Sequence, residues 1–92
     1  MRNMKAVLIK KMTDLLWQIK DKDYMYDFLE DLFTEKELKD ITERVQILRL
    51  LKQWKTQRDI AEEMKISVTT VNRGAKVLKN KNSAFNDLKI TL

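Results

Sequence analysis

TQRDIAEEMKISVTTVNRGAKVLK, residues 56–79, holds two short helical patterns separated by a three-residue turn. Thr56 offers a hydroxyl to the free backbone donors of a helix start, and Ile60, Ala61 and Met64 follow as a narrow apolar stripe. The turn runs from Lys65 to Ser67. Ser67 is a second cap, and behind it Val68, Val71, Ala75 and Leu78 recur at helical spacing, so all four are expected to face the first helix. Ala61 supplies the small residue that two helices crossing at a tight turn need. The spacing predicts a helix-turn-helix, with the left-handed turn position that usually holds glycine falling to Lys65 at some conformational cost.

The side chains left facing outward are Thr69, Thr70, Asn72, Arg73, Lys76 and Lys79. Short hydrogen-bonding groups come first and cations follow, which suits base edges and phosphates respectively. Thr69, Thr70 and Asn72 are therefore expected at base edges, with Asn72 matched to adenine. Gln57, Arg58 and Lys65 are expected on phosphates, helped by the dipoles of the helix starts, and Lys76 and Lys79 add non-specific attraction. The plain alternative is a helical hairpin with a solvated polar side.

Charge location favours the first reading. The net charge is +5, yet residues 1–33 balance six cations against six anions, whereas residues 57–92 hold seven against four. No acid falls between Glu63 and Asp87, so the positive field centres on the second helix of the motif. That helix has no outward aromatic to pair with its cations, which counts against a membrane-surface role.

Ninety-two residues without proline and with one glycine predict a single all-α domain. The absence of cysteine and histidine excludes disulfides, thiolate or imidazole metal sites, and catalysis by a cysteine nucleophile or histidine base. No Gly-rich phosphate loop or triad is present, and no enzymatic role is expected. Apolar runs are too short for a membrane span or a signal segment, which points to a cytoplasmic protein.

About six helices are expected. Residues 4–20 align Leu8, Met12, Leu15 and Ile19; residues 24–33 align Tyr24, Phe28 and Leu32. Thr34 and Glu37 form a capping box that opens the longest helix, to about Trp54, with a buried stripe of Leu38, Ile41, Val45, Leu48 and Leu51. Residues 1–55 are thus a scaffold, 56–79 the motif, and 83–92 a short last helix begun by Ser83 and bearing Phe85, Leu88 and Leu92. Three amphipathic helices ahead of the motif exceed what one small chain can cover, so an intertwined homodimer is expected. A two-fold dimer would present two reading helices about 34 Å apart and select a palindromic duplex site.

ITERVQILRLL, TQRDIAEEM and SVTTVNRGAKVLK together resemble the Trp repressor family, over residues 15–88. The sharpest features are Arg44, Gln57-Arg58, Arg73-Gly74 and Leu78-Lys79. Glycine inside a helix costs about 1 kcal/mol against alanine, so something should need the missing side chain. In tryptophan-binding members an indole lies over that glycine between two arginines. By this resemblance Arg44, Arg73, Gly74 and Thr34 are the candidate ligand residues, and L-tryptophan is the candidate co-repressor, with no cofactor otherwise required. The resemblance implies a dimeric repressor that binds operator DNA. Val77 stands where tryptophan binders place a serine, and Trp54 stands where relatives often end a helix with glycine; packing in the core or an interface is expected of Trp54. Phe33 or Val77 could instead fill the space above Gly74 and make binding ligand-independent. Non-specific nucleic-acid binding and a protein-interaction module are the remaining alternatives.

Overall fold

Helices in this chain begin where a side chain can replace a missing backbone partner. In the computed structural model, which describes residues 3–79, α1 (Met4–Leu16) starts at Asn3, whose Oδ1 accepts from the Lys5 N–H at 2.9 Å. Asp21 does the same for α2 (Lys22–Leu32), accepting from the Asp23 N–H at 3.1 Å. Thr34 directly precedes α3 (Glu35–Lys52). Thr56 caps α4 (Gln57–Met64) through the Asp59 N–H at 3.0 Å, and Ser67 caps α5 (Val68–Lys79) through the Thr70 N–H at 3.1 Å. Five helices and no strand make up the described residues, in keeping with the all-α expectation. The helix expected over 83–92 lies outside them.

The chain divides into two units, residues 1–35 and 36–92. In the first, α1 ends four residues earlier than expected. The Gln18 and Ile19 N–H groups bond the carbonyls of Leu15 and Leu16 at 3.2 and 3.1 Å, so the chain tightens into an i→i−3 turn instead of continuing as α-helix. Lys20 Nζ lies 5.9 Å from the centroid of the Trp17 ring within that turn. Neither α1 nor α2 has a buried residue, and Met4, Leu8 and Ile9 are 68%, 52% and 54% exposed.

The second unit has a small apolar core made by Ile47 and Leu50 of α3, Ile60 and Ala61 of α4, and Val71 of α5, with Leu51, Met64 and Ile66 packed at its edge. Ile60 and Val71 are its largest fully buried side chains. Burial of this kind contributes roughly 1.5–3 kcal/mol per large aliphatic side chain. The expected α3 stripe is corrected here. Leu48 is buried as anticipated, but Ile41 is 44% exposed, and the residues meeting the motif are Ile47 and Leu50. α3 is apolar over more than one side between Ile41 and Leu51, so periodicity alone could not choose the contact side. On α5, Val71 and Ala75 are buried and Leu78 half-buried, whereas Val68 is 49% exposed because it is the first residue of the helix and lies at its rim.

α3 and α4 end in the same way. The Lys55 N–H bonds the Leu50 carbonyl at 3.3 Å and the Trp54 N–H bonds that of Leu51 at 3.0 Å; the Ile66 N–H bonds Ala61 at 3.0 Å and the Lys65 N–H bonds Glu62 at 3.3 Å. Each pair is a Schellman end, whose left-handed position is here Trp54 (φ 66°) and Lys65 (φ 57°) instead of glycine. The conformation expected of Lys65 is thus observed. Trp54 is 94% exposed, so within the chain it is not a core residue. An L side chain in this region costs on the order of 1–2 kcal/mol. Trp54→Gly is expected to raise stability by about 1 kcal/mol in urea denaturation. A loss of stability would show that the indole has a packing partner outside the chain.

Candidate nucleic-acid interface and adjoining cleft

Burying Val71 and Ala75 fixes the rotation of α5 about its axis. Thr69, Asn72, Lys76 and Lys79, spaced by three and four residues, then share the opposite side, and all four are exposed. Arg58, exposed at the first turn of α4, and Lys65, exposed at the turn, carry the cationic surface to the neighbouring helix. From Lys65 to Lys79 the described chain has no acidic residue. Hydroxyl, carboxamide and ammonium groups are therefore displayed together on a convex helix surface, which is the chemistry that meets base edges and phosphates.

Gln57 and Asn72, fifteen residues apart, are brought together: Asn72 Nδ2 donates to Gln57 Oε1 at 3.3 Å. Thr70 is placed differently from its expected neighbours at the base edges. Its hydroxyl shares a 2.8 Å hydrogen bond with Ser67 Oγ, and the residue is half-buried. At the entrance to the motif, Lys55 Nζ pairs with Glu63 at 3.1 Å; both side chains are about half exposed, so the pair adds little to stability.

Thr70 faces a cleft of about 450 Å³ between α3 and α5, lined by Asp40, Glu43, Arg44, Ile47, Thr70, Arg73, Gly74 and Val77. Three of the four expected ligand residues, Arg44, Arg73 and Gly74, thus meet in one place. Thr34, the fourth, is exposed ahead of α3 in the first unit. Neither guanidinium has a hydrogen-bond or ion-pair partner among the described residues, and Arg44 does not close on Asp40. Asp40, Glu43 and Ile47 were not expected at the cleft. Their signal is a spacing of three and four residues, from Asp40 to Glu43 and Arg44 and from these to Ile47, which puts the four on one side of α3.

Gly74 is buried, and its neighbour explains it. A Cβ built on Gly74 would stand 2.8 Å from Cγ2 of Ile47, closer than carbon atoms approach. The missing side chain is needed for α5 to pack on α3, whatever occupies the cleft.

The family model described as Trp repressor protein matches residues 8–89. A Trp operon repressor homolog from Chlamydia trachomatis is 37% identical over 65 residues, covering 65% of this chain and 69% of that protein. A Trp operon repressor homolog from Xylella fastidiosa is 32% identical over 69 residues, covering 74% of this chain and 75% of that one. The Bacillus subtilis protein named Uncharacterized protein YerC is 30% identical over 67 residues, which span 73% of this chain and 64% of the Bacillus protein. No solved structure matches.

Gly74→Ala tests the packing explanation. Alanine is the better helix former by about 1 kcal/mol, yet the variant is expected to lose about 1–3 kcal/mol of stability through overpacking. Replacing Ile47 by Leu removes Cγ2 and should reduce that loss in the double variant. Equal effects of Gly74→Ala in both backgrounds, measured by denaturation, would contradict the contact.

Proposed function

The chain belongs to the Trp repressor family, a family of DNA-binding regulators, and we propose that it recognises a particular duplex sequence by setting the outward side of α5 in the major groove. The observation that carries this reading is the separation of sides on α5. Val71 and Ala75 are held in the core, while Thr69, Asn72, Lys76 and Lys79 are all presented to solvent. Asn72 and Thr69 read base edges; Arg58 and Lys65 bind phosphates beside the start of α4; Lys76 and Lys79 add sequence-independent attraction. Gln57 also lies at that helix start, where the dipole favours an anion.

The functional species in this proposal is a homodimer. α1 leaves Met4, Leu8 and Ile9 uncovered, and a second copy is the cover that also gives function, since two α5 helices related by a two-fold axis select a palindromic operator. No described helix is long and apolar enough to cross a membrane.

The α3–α5 cleft is the proposed effector site. Its size lies within the roughly 300–1,000 Å³ of small-molecule pockets, and its two guanidiniums can stack on an aromatic face or bind a carboxylate. Asp40 and Glu43 beside them offer a place for an amino group. L-tryptophan is the first ligand to test, as the names of the Chlamydia and Xylella relatives suggest. One observation favours a second reading, ligand-independent binding: the contact with Ile47 gives Gly74 a purpose without any ligand.

Selection of bound DNA from a random pool, with and without L-tryptophan and paired with calorimetry, distinguishes these readings. A palindrome enriched only with tryptophan, together with heat of binding, is expected for a co-repressor; the same palindrome without heat supports the ligand-independent form. On the selected duplex, Asn72→Ala is expected to relax preference at one base pair by about 1–3 kcal/mol, whereas Lys76→Ala weakens all duplexes alike and lowers the salt slope by about 1. Equal loss on selected and random duplexes for Asn72→Ala would remove it from base recognition.

A further inference from the structure

An exposed asparagine on a recognition helix has an orientation problem. Its carboxamide carries an acceptor at one end and two donors at the other, and rotation about its last bond exchanges them. An adenine edge needs both ends at once, with Oδ1 accepting from N6–H and an Nδ2 hydrogen donating to N7, so only one orientation reads the base. Asn72 is exposed and has few neighbours to choose that orientation for it. Gln57 is the exception. It is half-buried at the first position of α4, and its Oε1 accepts from Asn72 Nδ2 at 3.3 Å.

We propose that Gln57 is a positioning residue for base recognition by Asn72: its Oε1 holds one Nδ2 hydrogen and thereby presents the other, with Oδ1, as a donor-acceptor pair to the base edge. This rests on the DNA-reading role of α5 proposed above and revises the part expected of Gln57, from a phosphate contact alone to a residue that also sets sequence preference. The bond uses one of the two Nδ2 hydrogens and leaves the rest of the carboxamide free. An acceptor on a half-buried stem lowers the ordering cost that a free side chain would bear on binding. At 3.3 Å the bond is long, so it biases orientation without locking it. A flipped Asn72 would set its carbonyl oxygen against that of Gln57 unless the Gln57 carboxamide turned with it, so the two amides are coupled, and Gln57→Glu, which can only accept, isolates the acceptor. The register of α4 against α5, set by Ile60 and Val71, therefore reaches the base through a single hydrogen bond.

The test uses the full chain and the duplex it selects, with every base pair of the half-site varied in turn. Wild type, Asn72→Ala, Gln57→Ala, Gln57→Glu and the double Gln57→Ala/Asn72→Ala variant are compared, with helical circular dichroism confirming that each is folded. Gln57→Ala is expected to reduce preference at the base pair read by Asn72 by on the order of tenfold. It should have no further effect on that preference in the Asn72→Ala background. Gln57→Glu keeps an acceptor but repels phosphate, so it should retain the preference while weakening every duplex. Because the stem of Gln57 is half-buried, Gln57→Met, which keeps the stem and lacks the oxygen, replaces Gln57→Ala should that variant not fold. Uniform weakening of all duplexes by Gln57→Ala, additive with Asn72→Ala, would overturn the positioning role and leave Gln57 a phosphate contact. A wild-type site whose preference Asn72→Ala leaves untouched would also overturn it, with α5 reading DNA through other side chains. A wild-type protein that selects no site would overturn the DNA-reading role itself.

Discussion

The contact between Ile60 and Val71 over Ile47 and Leu50 is the constraint on which the motif depends. α4 has eight residues, well below the length at which a helix is stable alone in water, so it persists because Ile60 and Ala61 are buried. Once Val71 enters that core, the rotation of α5 is settled and so is the set of side chains it shows to solvent. The caps at Thr56 and Ser67 and the left-handed turn at Lys65 determine where the two helices begin and end, while the core determines how they face.

Close approach is achieved with small residues. Ala61 lies in the core between α4 and its partners, and Gly74 admits Cγ2 of Ile47 at a distance no Cβ would tolerate. The cleft edged by Arg44 and Arg73 shares Ile47 and Gly74 with this contact, so the same approach forms part of its wall. Cleft and motif are consequently one piece of structure: Thr70, Arg73, Gly74 and Val77 line the cleft on α5, one side away from Asn72 and Lys76. An occupant of the cleft would press on the helix proposed to read DNA without touching its outward side.

The sequence made the motif legible because its signals are local. Two hydroxyl caps, apolar stripes of three and four residues on the two helices and a turn without glycine were enough to locate α4, α5 and the conformation of Lys65. The meeting of Arg44, Arg73 and Gly74 came from resemblance, not periodicity. What stayed hidden depends on tertiary choice. Ile47 and Leu50 could not be preferred over Ile41 and Val45 on a helix apolar around much of its circumference, and Gly74 could not be assigned to Ile47 until that side was known. Thr70 belongs with the cleft because its hydroxyl turns to Ser67, a bond that helical spacing does not announce. Trp54 occupies a strained backbone position while almost wholly exposed, which no hydropathy pattern distinguishes from burial.

In the function proposed, specific recognition comes down to which side of a twelve-residue helix meets the duplex. The most direct measurement is an amide and side-chain NMR titration of the isotopically labelled protein with its selected duplex at moderate salt. Large shifts confined to Thr69, Asn72, Lys76 and Lys79, with Gln57 and Arg58 at the start of α4, are predicted. Shifts absent from these positions and concentrated instead on α1 or α2 would contradict it.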